Sequence, residues 1–362
     1  NFHFDKLLNS KNSSTLQQYG LTVEFTTNPA WYAVQALPYL MEYPYECAEQ
    51  TFNRYYANAL AAHILQTSSL MRQTINQWKN SDTSALQSNL QKNENLKSVL
   101  LDATPWVKDA EKETEQKHHL ATLMDNAAMQ AAIAKAINQL KQFQSSNGGF
   151  MWFGGMPDDQ YITQYILSGI MHLQQLGIAP DTALQDITNK ALPYIDSKLE
   201  DDYNILLQQK VKLQDDHLDA ITIQYLYLRS FFKNIAIDKN SLVAYAYYLS
   251  QVKEFWKDKN PYLQGMIAIA LNRNGNKNIA ANIIRSLKET ASYSDEIGMY
   301  WKNLNAGYYW YQSPTEAQSL LIEAFAEITK DKASINKMKT WLLKQKQTQS
   351  WPTTKATADA CY

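Results

Sequence analysis

Three features of the sequence predict an all-α fold. The chain has only 11 glycines and 10 prolines in 362 residues, about half their usual combined share, whereas a β-sandwich or barrel needs many for its turns. Apolar residues recur with helical spacing. Ala317, Leu320, Leu321, Ala324, Phe325 and Ile328 fall on one stripe of a helix. Helix-start signals precede such runs. Ser313 stands at an N-cap, Pro314 at the first helical position, and Glu316 where it completes a capping box.

In chain order, residues 1–20 hold an apolar cluster (Phe2, Phe4, Leu7, Leu8) and then polar residues. Leu21, Val23 and Phe25 alternate with polar residues, which predicts one short strand. After Pro29 the pattern becomes helical and stays so. Helices are predicted at 30–41, 46–66, 68–78, 84–101, 107–122, 126–144, 159–176, 181–208, 216–233, 240–256, 261–274, 277–291, 314–330 and 333–346. In the 216–233 helix, Ile221, Tyr225, Leu228 and Phe232 form the stripe. No long linker interrupts the series, so 29–362 is expected to be one α domain and 1–28 an N-terminal extension. The chain starts at Asn1 with no signal-like segment, and residues 353–362 read as the first turns of a helix. The start fits either a processed chain or a piece of a longer one, and the C-terminal end favours the piece.

A local repeat suggests how the helices are arranged. Gly149-Phe150-Met151-Trp152 and Gly307-Tyr308-Tyr309-Trp310 share Gly-aromatic-x-Trp, and Ser350-Trp351-Pro352-Thr353 is a looser copy. Aromatic turns between helices indicate stacked helical hairpins, with any single turn able to serve as a plug for a hairpin end. Their irregular spacing favours a closed α/α toroid over a uniform solenoid.

Charge and composition exclude several functions. With 34 basic and 35 acidic residues, nothing marks a nucleic-acid or polybasic membrane partner. The longest apolar run, Leu242 to Leu249, is eight residues, too short to span a bilayer. Two cysteines, Cys47 and Cys361, cannot make a disulfide framework or a multi-Cys zinc site. Asn and Gln are abundant but scattered, as in a polar surface. Asp215-Asp216-His217-Leu218-Asp219 matches a magnesium-binding DDxxD pattern, yet it opens the 216–233 helix and reads as capping. Asp158-Asp159 reads the same way. No histidine pair has metal spacing, and no phosphate loop or serine-nucleophile motif occurs. No cofactor or metal is implied.

The segment with chemistry in it is Met41 to Phe52. Pro44 ends one helix and the next begins near Cys47, so the thiol sits in a first turn, where free N–H groups and the helix dipole favour thiolate. Gln50, three residues on, projects from nearly the same face. A thiolate beside a carboxamide can expel ammonia and close an internal thioester, in a ring of about fifteen atoms. Small Ala48 leaves room above it. Tyr43, Tyr45 and Phe52 are candidates to keep water away. Read from the residues alone, a thioester and an inert buried cysteine both stand.

The segment Tyr43-Pro44-Tyr45-Glu46-Cys47-Ala48-Glu49-Gln50-Thr51-Phe52-Asn53-Arg54 strongly resembles the thioester signature of the α2-macroglobulin and complement family, and the bacterial α2-macroglobulins look most similar. Asn147–Phe150 with Asp159–Leu167, Tyr311–Phe325 and Trp351–Tyr362 resemble later parts of that family's thioester domain, so the likeness runs over about 21–362. It implies an α/α toroid flanked by β-sandwich domains, which would account for the strand at 21–25. It also implies a protease inhibitor rather than an enzyme. Cys47 and Gln50 would carry the thioester, supported by Glu49, Tyr43, Pro44, Tyr45, Phe52 and Trp152. Attacking proteases would be captured through lysine amines after a bait segment is cut, with the other domains of the same polypeptide as further partners. The implied location is the periplasm, the cell envelope or the exterior. No bait segment is recognisable here.

Two departures matter. Glu46 stands where the family commonly has glycine, and its carboxylate would oppose thiolate formation unless a counter-charge is near. Residues 150–165 lack the histidine that redirects the acyl group to hydroxyls in complement-type members, the nearest downstream being His172. Direct reaction with amines is therefore expected. The alternatives are an α/α-toroid enzyme, glycan-processing or terpenoid-type, with paired carboxylates at its mouth, and an adhesin- or opsonin-like domain using the same thioester to tag surfaces. Cys361 reads as a core cysteine.

Overall fold

The computed structural model describes residues 30–80, 118–304, 306–346 and 350–362. The strand expected at 21–25, the extension 1–28 and the helix expected at 84–101 lie outside them. Of the helix expected at 107–122, only residues from 118 on are described, and 118–123 are helical. The chain separates into two compact units, one of Pro29–Ser69 with Met124–Tyr362, the other of Asn1–Asn28 with Leu70–Leu123. Among the described residues, the second unit contributes most of helix α3 (Ser69–Asn80).

The first unit is all-α apart from two short hairpins. Its helices pair as α1 (Ala30–Met41) with α2 (Ala48–Thr67), α4 (Asn126–Phe143) with α5 (Gln160–Gln175), and α6 (Thr182–Gln208) with α7 (Ala220–Arg229). The series continues with α8 (Lys239–Phe255) and α9 (Pro261–Arg273), α10 (Lys277–Thr290) and α11 (Pro314–Ile328), and α12 (Lys332–Lys344) and α13 (Thr354–Cys361). The second member of each pair touches the second member of the next: α2 on α5, α5 on α7, α7 on α9, α9 on α11, α11 on α13 and α13 back on α2. These six form a closed inner ring. The first members lie outside it, α4 on α2, α6 on α5, α8 on α7, α10 on α9 and α11, and α12 on α11. The expected α/α toroid is thus a ring of six hairpins.

Burial distinguishes the two layers. Outer α10 buries only Ala280, Ile283, Ile284 and Leu287, the i, i+3, i+4, i+7 stripe of an amphipathic helix. Inner α5 is buried without a break from Ile162 to Met171, and α7 from Thr222 to Arg229. An inner helix meets the outer ring on one side and the enclosed axis on the other, so both faces leave water. Close approach in the ring is set at Gly169 of α5, where a Cβ would fall 2.3 Å from the Phe52 ring of α2. The ring closes through Ala36, Leu342, Trp351 and Ala356, with Trp351 Nε1 donating to Leu342 O at 2.9 Å. Cys361 packs against this cluster, its thiol 3.8 Å from Ala33 O.

Most element boundaries fall within two residues of expectation, with three differences. The helix at 216–233 shortens to 220–229, because Asp216 Oδ1 takes the Leu218 N–H and turns close after Arg229. Ser313 makes no capping bond to the backbone. Its hydroxyl donates instead to the Glu316 carboxylate, which departs from the expected capping box. Two hairpins were not anticipated: β1 (Phe150–Met151) with β2 (Asp158–Asp159), and β3 (Ser292–Ser294) with β4 (Gly298–Tyr300). The first is entered through Gly148 at φ +97°, where a Cβ would lie 2.0 Å from Lys190 O. Among the described residues no helix is long and apolar enough to cross a membrane.

Candidate functional site

Successive inner helices run in the same direction, so their N-termini gather at one mouth of the ring. Three cross-bonds tie that mouth together. Ala48 N donates to Trp152 O at 2.9 Å, Thr354 Oγ1 to Glu49 Oε1 at 2.8 Å, and Asn260 Nδ2 to Tyr311 O at 3.2 Å. The caps at this end are Cys47, Asp159, Asp219, Asn260, Ser313 and Thr353. Asp219 and Asp159 bond the Thr222 and Ile162 N–H groups, as capping requires, and Asp216 pairs with Lys259 at 2.7 Å.

Cys47 is itself the N-cap of α2, extended at φ −91° and ψ 169°, with Sγ accepting the Gln50 backbone N–H at 3.5 Å. Helix α1 ends at Met41, and Pro44 lies in the irregular 42–47 link, where it was expected to break the helix. Cys47 is 4% exposed. The Gln50 side-chain oxygen, Oε1, is buried and makes no hydrogen bond, an arrangement that costs energy in a folded protein.

The electrostatics at the thiol differ from expectation. Burial pushes the Cys47 thiol up and outweighs the Gln50 backbone N–H, which acts in the expected direction. Glu49 adds to the rise. The anticipated preference for thiolate is therefore reversed, because a buried first turn loses more hydration than one weak N–H···S bond returns. The counter-charge that Glu46 called for is present. Arg54 Nη1 lies 3.6 Å from Glu46 Oε1, and Arg54 Nη2 donates to Tyr43 O at 2.9 Å.

The residues expected to shield the bond are placed unequally. Tyr45 is 65% exposed, its ring 5.8 Å from that of Tyr43. Tyr43 is half-buried, edge-on to Tyr39 at 5.4 Å. Phe52 is buried in the ring among Tyr55, Tyr56 and Tyr165, too deep to be a lid. Trp152 is the one brought directly to the start of α2, through its carbonyl oxygen, and its ring stacks on Tyr161 at 5.9 Å.

All three aromatic turns border one cleft of ≈ 500 Å³ at the mouth. Trp152, Gly307–Trp310 and Pro352–Thr353 line it, together with Tyr161, Glu49, Glu316 and Lys355. Tyr161 lies between Trp152 and Trp310, 5.1 Å from the latter. Trp351 differs, being a buried plug of the ring closure. The roles of Arg54, Tyr161, Thr354 and Lys355 are not legible in the sequence. Thr354 stands 305 residues from its partner Glu49, and no local pattern announces such a contact.

Glu49 is buried. Its Oε1 accepts from Asn53 Nδ2 at 2.5 Å and from Thr354. Burial raises its carboxyl above the ordinary range, against the Thr354 hydroxyl and the Lys355 charge. Lys355 donates to Asp359 at 2.8 Å and to Tyr262 at 3.2 Å and stays protonated. Along the axis, the inner helices leave a second, small cavity of ≈ 40 Å³. Away from the mouth it is bounded by a paired network. His172 Nε2 contacts Tyr227 Oη at 2.7 Å, Tyr227 donates to Glu323 at 2.8 Å, and Arg273 bridges Glu323 at 3.0 Å and Glu327 at 2.6 Å.

Neither a family model nor a curated protein sequence matches the chain. Solved structures do. A crystal structure of Salmonella α2-macroglobulin reacted with methylamine matches at TM-score 0.50 and 15% identity, over 92% of this chain and 17% of that one. A tyrosine-to-glycine mutant of the Salmonella protein matches at TM-score 0.51 and 14% identity, over the same shares. The chain thus spans about a sixth of the length of these proteins, and its fold is that of a part of the bacterial α2-macroglobulins.

Proposed function

We propose that Cys47 and Gln50 close an internal thioester, and that this chain is the covalent-trap domain of an α2-macroglobulin-like protease inhibitor. The observation that carries this reading is the first turn of α2. There the Cys47 sulfur sits against the Gln50 N–H, while the Gln50 carboxamide oxygen is buried with no partner. Displacing the amide nitrogen with Sγ releases ammonia, keeps that oxygen as the thioester carbonyl and stores an acyl electrophile. The bond would acylate lysine amines of an attacking protease and free the Cys47 thiol. The similar fold of Salmonella α2-macroglobulin, solved after reaction with methylamine, supports this reading. So does the Arg54 counter-charge at Glu46. The proposed location is outside the cytoplasm, in the periplasm or envelope or secreted, and the other domains of a longer polypeptide would gate exposure of the bond.

Intact mass tests the reading. Fresh protein should weigh roughly 17 Da less than its sequence, and methylamine should convert the bond to a stable amide. Cys47→Ala should abolish incorporation, and persistence of labelling in that variant would refute the mechanism. Glycerol should label poorly. Efficient labelling by glycerol would favour the surface-tagging alternative. A second reading, a glycan-processing enzyme, draws on the two carboxylates Glu49 and Glu316 at the cleft. It requires catalytic turnover that survives Cys47→Ala.

A further inference from the structure

Resting on the thioester reading, we propose that Glu49 is a catalytic residue of the acylation, taking the proton from an alkylammonium that enters through the aromatic cleft. A lysine side chain arrives as R–NH₃⁺ and cannot attack until it loses a proton. The cleft suits such a cation. Trp152, Tyr161 and Trp310 line it, and aromatic faces attract ammonium groups. Glu49 lines the same cleft and lies one residue from Gln50, on the first turn that holds Cys47.

Its placement is that of a held base. Asn53 and Thr354 both bond to Oε1 and fix the carboxylate from two helices, α2 and α13, which leaves Oε2 as the oxygen to meet a ligand. The neighbouring cation, Lys355, is engaged by Asp359 and Tyr262, so it helps hold Glu49 ionised without occupying it as a partner. Burial raises the affinity of Glu49 for a proton, which suits a group that must accept one near neutral pH.

The step balances as follows. Glu49 removes one proton from R–NH₃⁺, and the freed nitrogen pair attacks Cδ of Gln50. The Cδ–Sγ bond breaks and its electron pair leaves on Sγ. Glu49 returns its proton there, which the raised affinity of the buried Cys47 thiol for its proton favours. A second N–H proton passes to solvent. The products are an amide at Gln50 and a thiol at Cys47.

The test compares methylamine, protonated at neutral pH, with hydroxylamine, which is uncharged there, on the full chain. In Glu49→Gln the ratio of methylamine to hydroxylamine rates should fall about a hundredfold. The wild-type methylamine rate should level off above the titration of Glu49, whose charged neighbours are Lys355 and Asp359. The Gln variant should instead climb with the free-amine fraction. Equal slowing of both nucleophiles, with the 17 Da deficit intact, would overturn the proposal and leave the thioester standing. Wild-type protein with no deficit and no uptake of either nucleophile would overturn the thioester reading and this one with it. If Glu49→Gln does not fold or does not close the bond, Thr354→Val removes one anchor and keeps the carboxylate. It should lower the same ratio severalfold, and an unchanged ratio would count against the proposal.

Discussion

The two ends of the inner ring are built from the same helices and differ in how their charged and ring groups are arranged. At the N-terminal mouth the Gln50 oxygen has no partner, a wide cleft opens, and Tyr308 is 95% exposed. At the other end His172, Tyr227, Glu323, Arg273 and Glu327 bond one another in a single chain, and Tyr362 stacks on His172 at 4.2 Å. Helix polarity explains part of the contrast. Free N–H groups and positive dipole ends face the mouth, where Asp159, Asp219 and Glu49 gather, while Arg273 sits in the last turn of α9, where a cation is favoured. The lesson is a division of labour. One end holds the ring together, and the other keeps groups available for chemistry.

The sharpest way to break this contrast is at Arg273. Arg273→Met removes the cation that Glu323 and Glu327 share, and equilibrium urea unfolding at a pH above about 7, where Glu323 is ionised, should show a loss of about 3–5 kcal/mol. Amine uptake per folded molecule should not change. A parallel loss of uptake would mean the two ends are not separate in function.

A smaller effect is expected in the pH dependence of stability. Burial holds His172 down to about 3 and lifts Glu323 up to about 7. Between about pH 4.5 and 6.5 the two oppose each other. Folded Glu323 binds more protons than unfolded, so stability falls as pH rises. Folded His172 binds fewer, so stability rises with pH. The wild-type curve should be nearly flat there and should drop below about pH 4.5, where His172 acts alone. In His172→Gln the Glu323 contribution is unmasked. Stability should then decline by about 2 kcal/mol as pH rises from about 4.5 to 7. A variant curve as flat as the wild type would show that Glu323 is not held protonated.

The smallest effect should be at the rim. Tyr308→Ala removes a ring that lies in solvent and should change stability by less than about 0.5 kcal/mol. A larger loss in thermal unfolding would show that the exposed Tyr308 ring carries packing of its own.

How far each part could be read in advance follows from the range of its forces. Outer helices such as α10 carry their stripe in the sequence, because one face meets water and the other does not. Inner helices such as α5 carry a weaker signal, since Gln164 and Ser168 are buried on the axis beside Ile162 and Ile166. Their caps help to mark them, as Asp159 does for α5, while α7 and α11 still show a stripe. The site divides in the same way. Cys47 at a helix start, with Gln50 one turn on, is written in four consecutive residues.

The sequence by itself therefore determined the helices, the hairpin turns and the Cys47–Gln50 pairing of groups, because caps, period and turn residues act over a few positions. Tertiary structure alone decided that three aromatic turns meet at one cleft, that Thr354 reaches Glu49, and that Arg54 answers Glu46. It also reversed the expected charge preference of Cys47. The physical reason is desolvation. How much water a group loses depends on which distant segments close over it, and no local pattern records that.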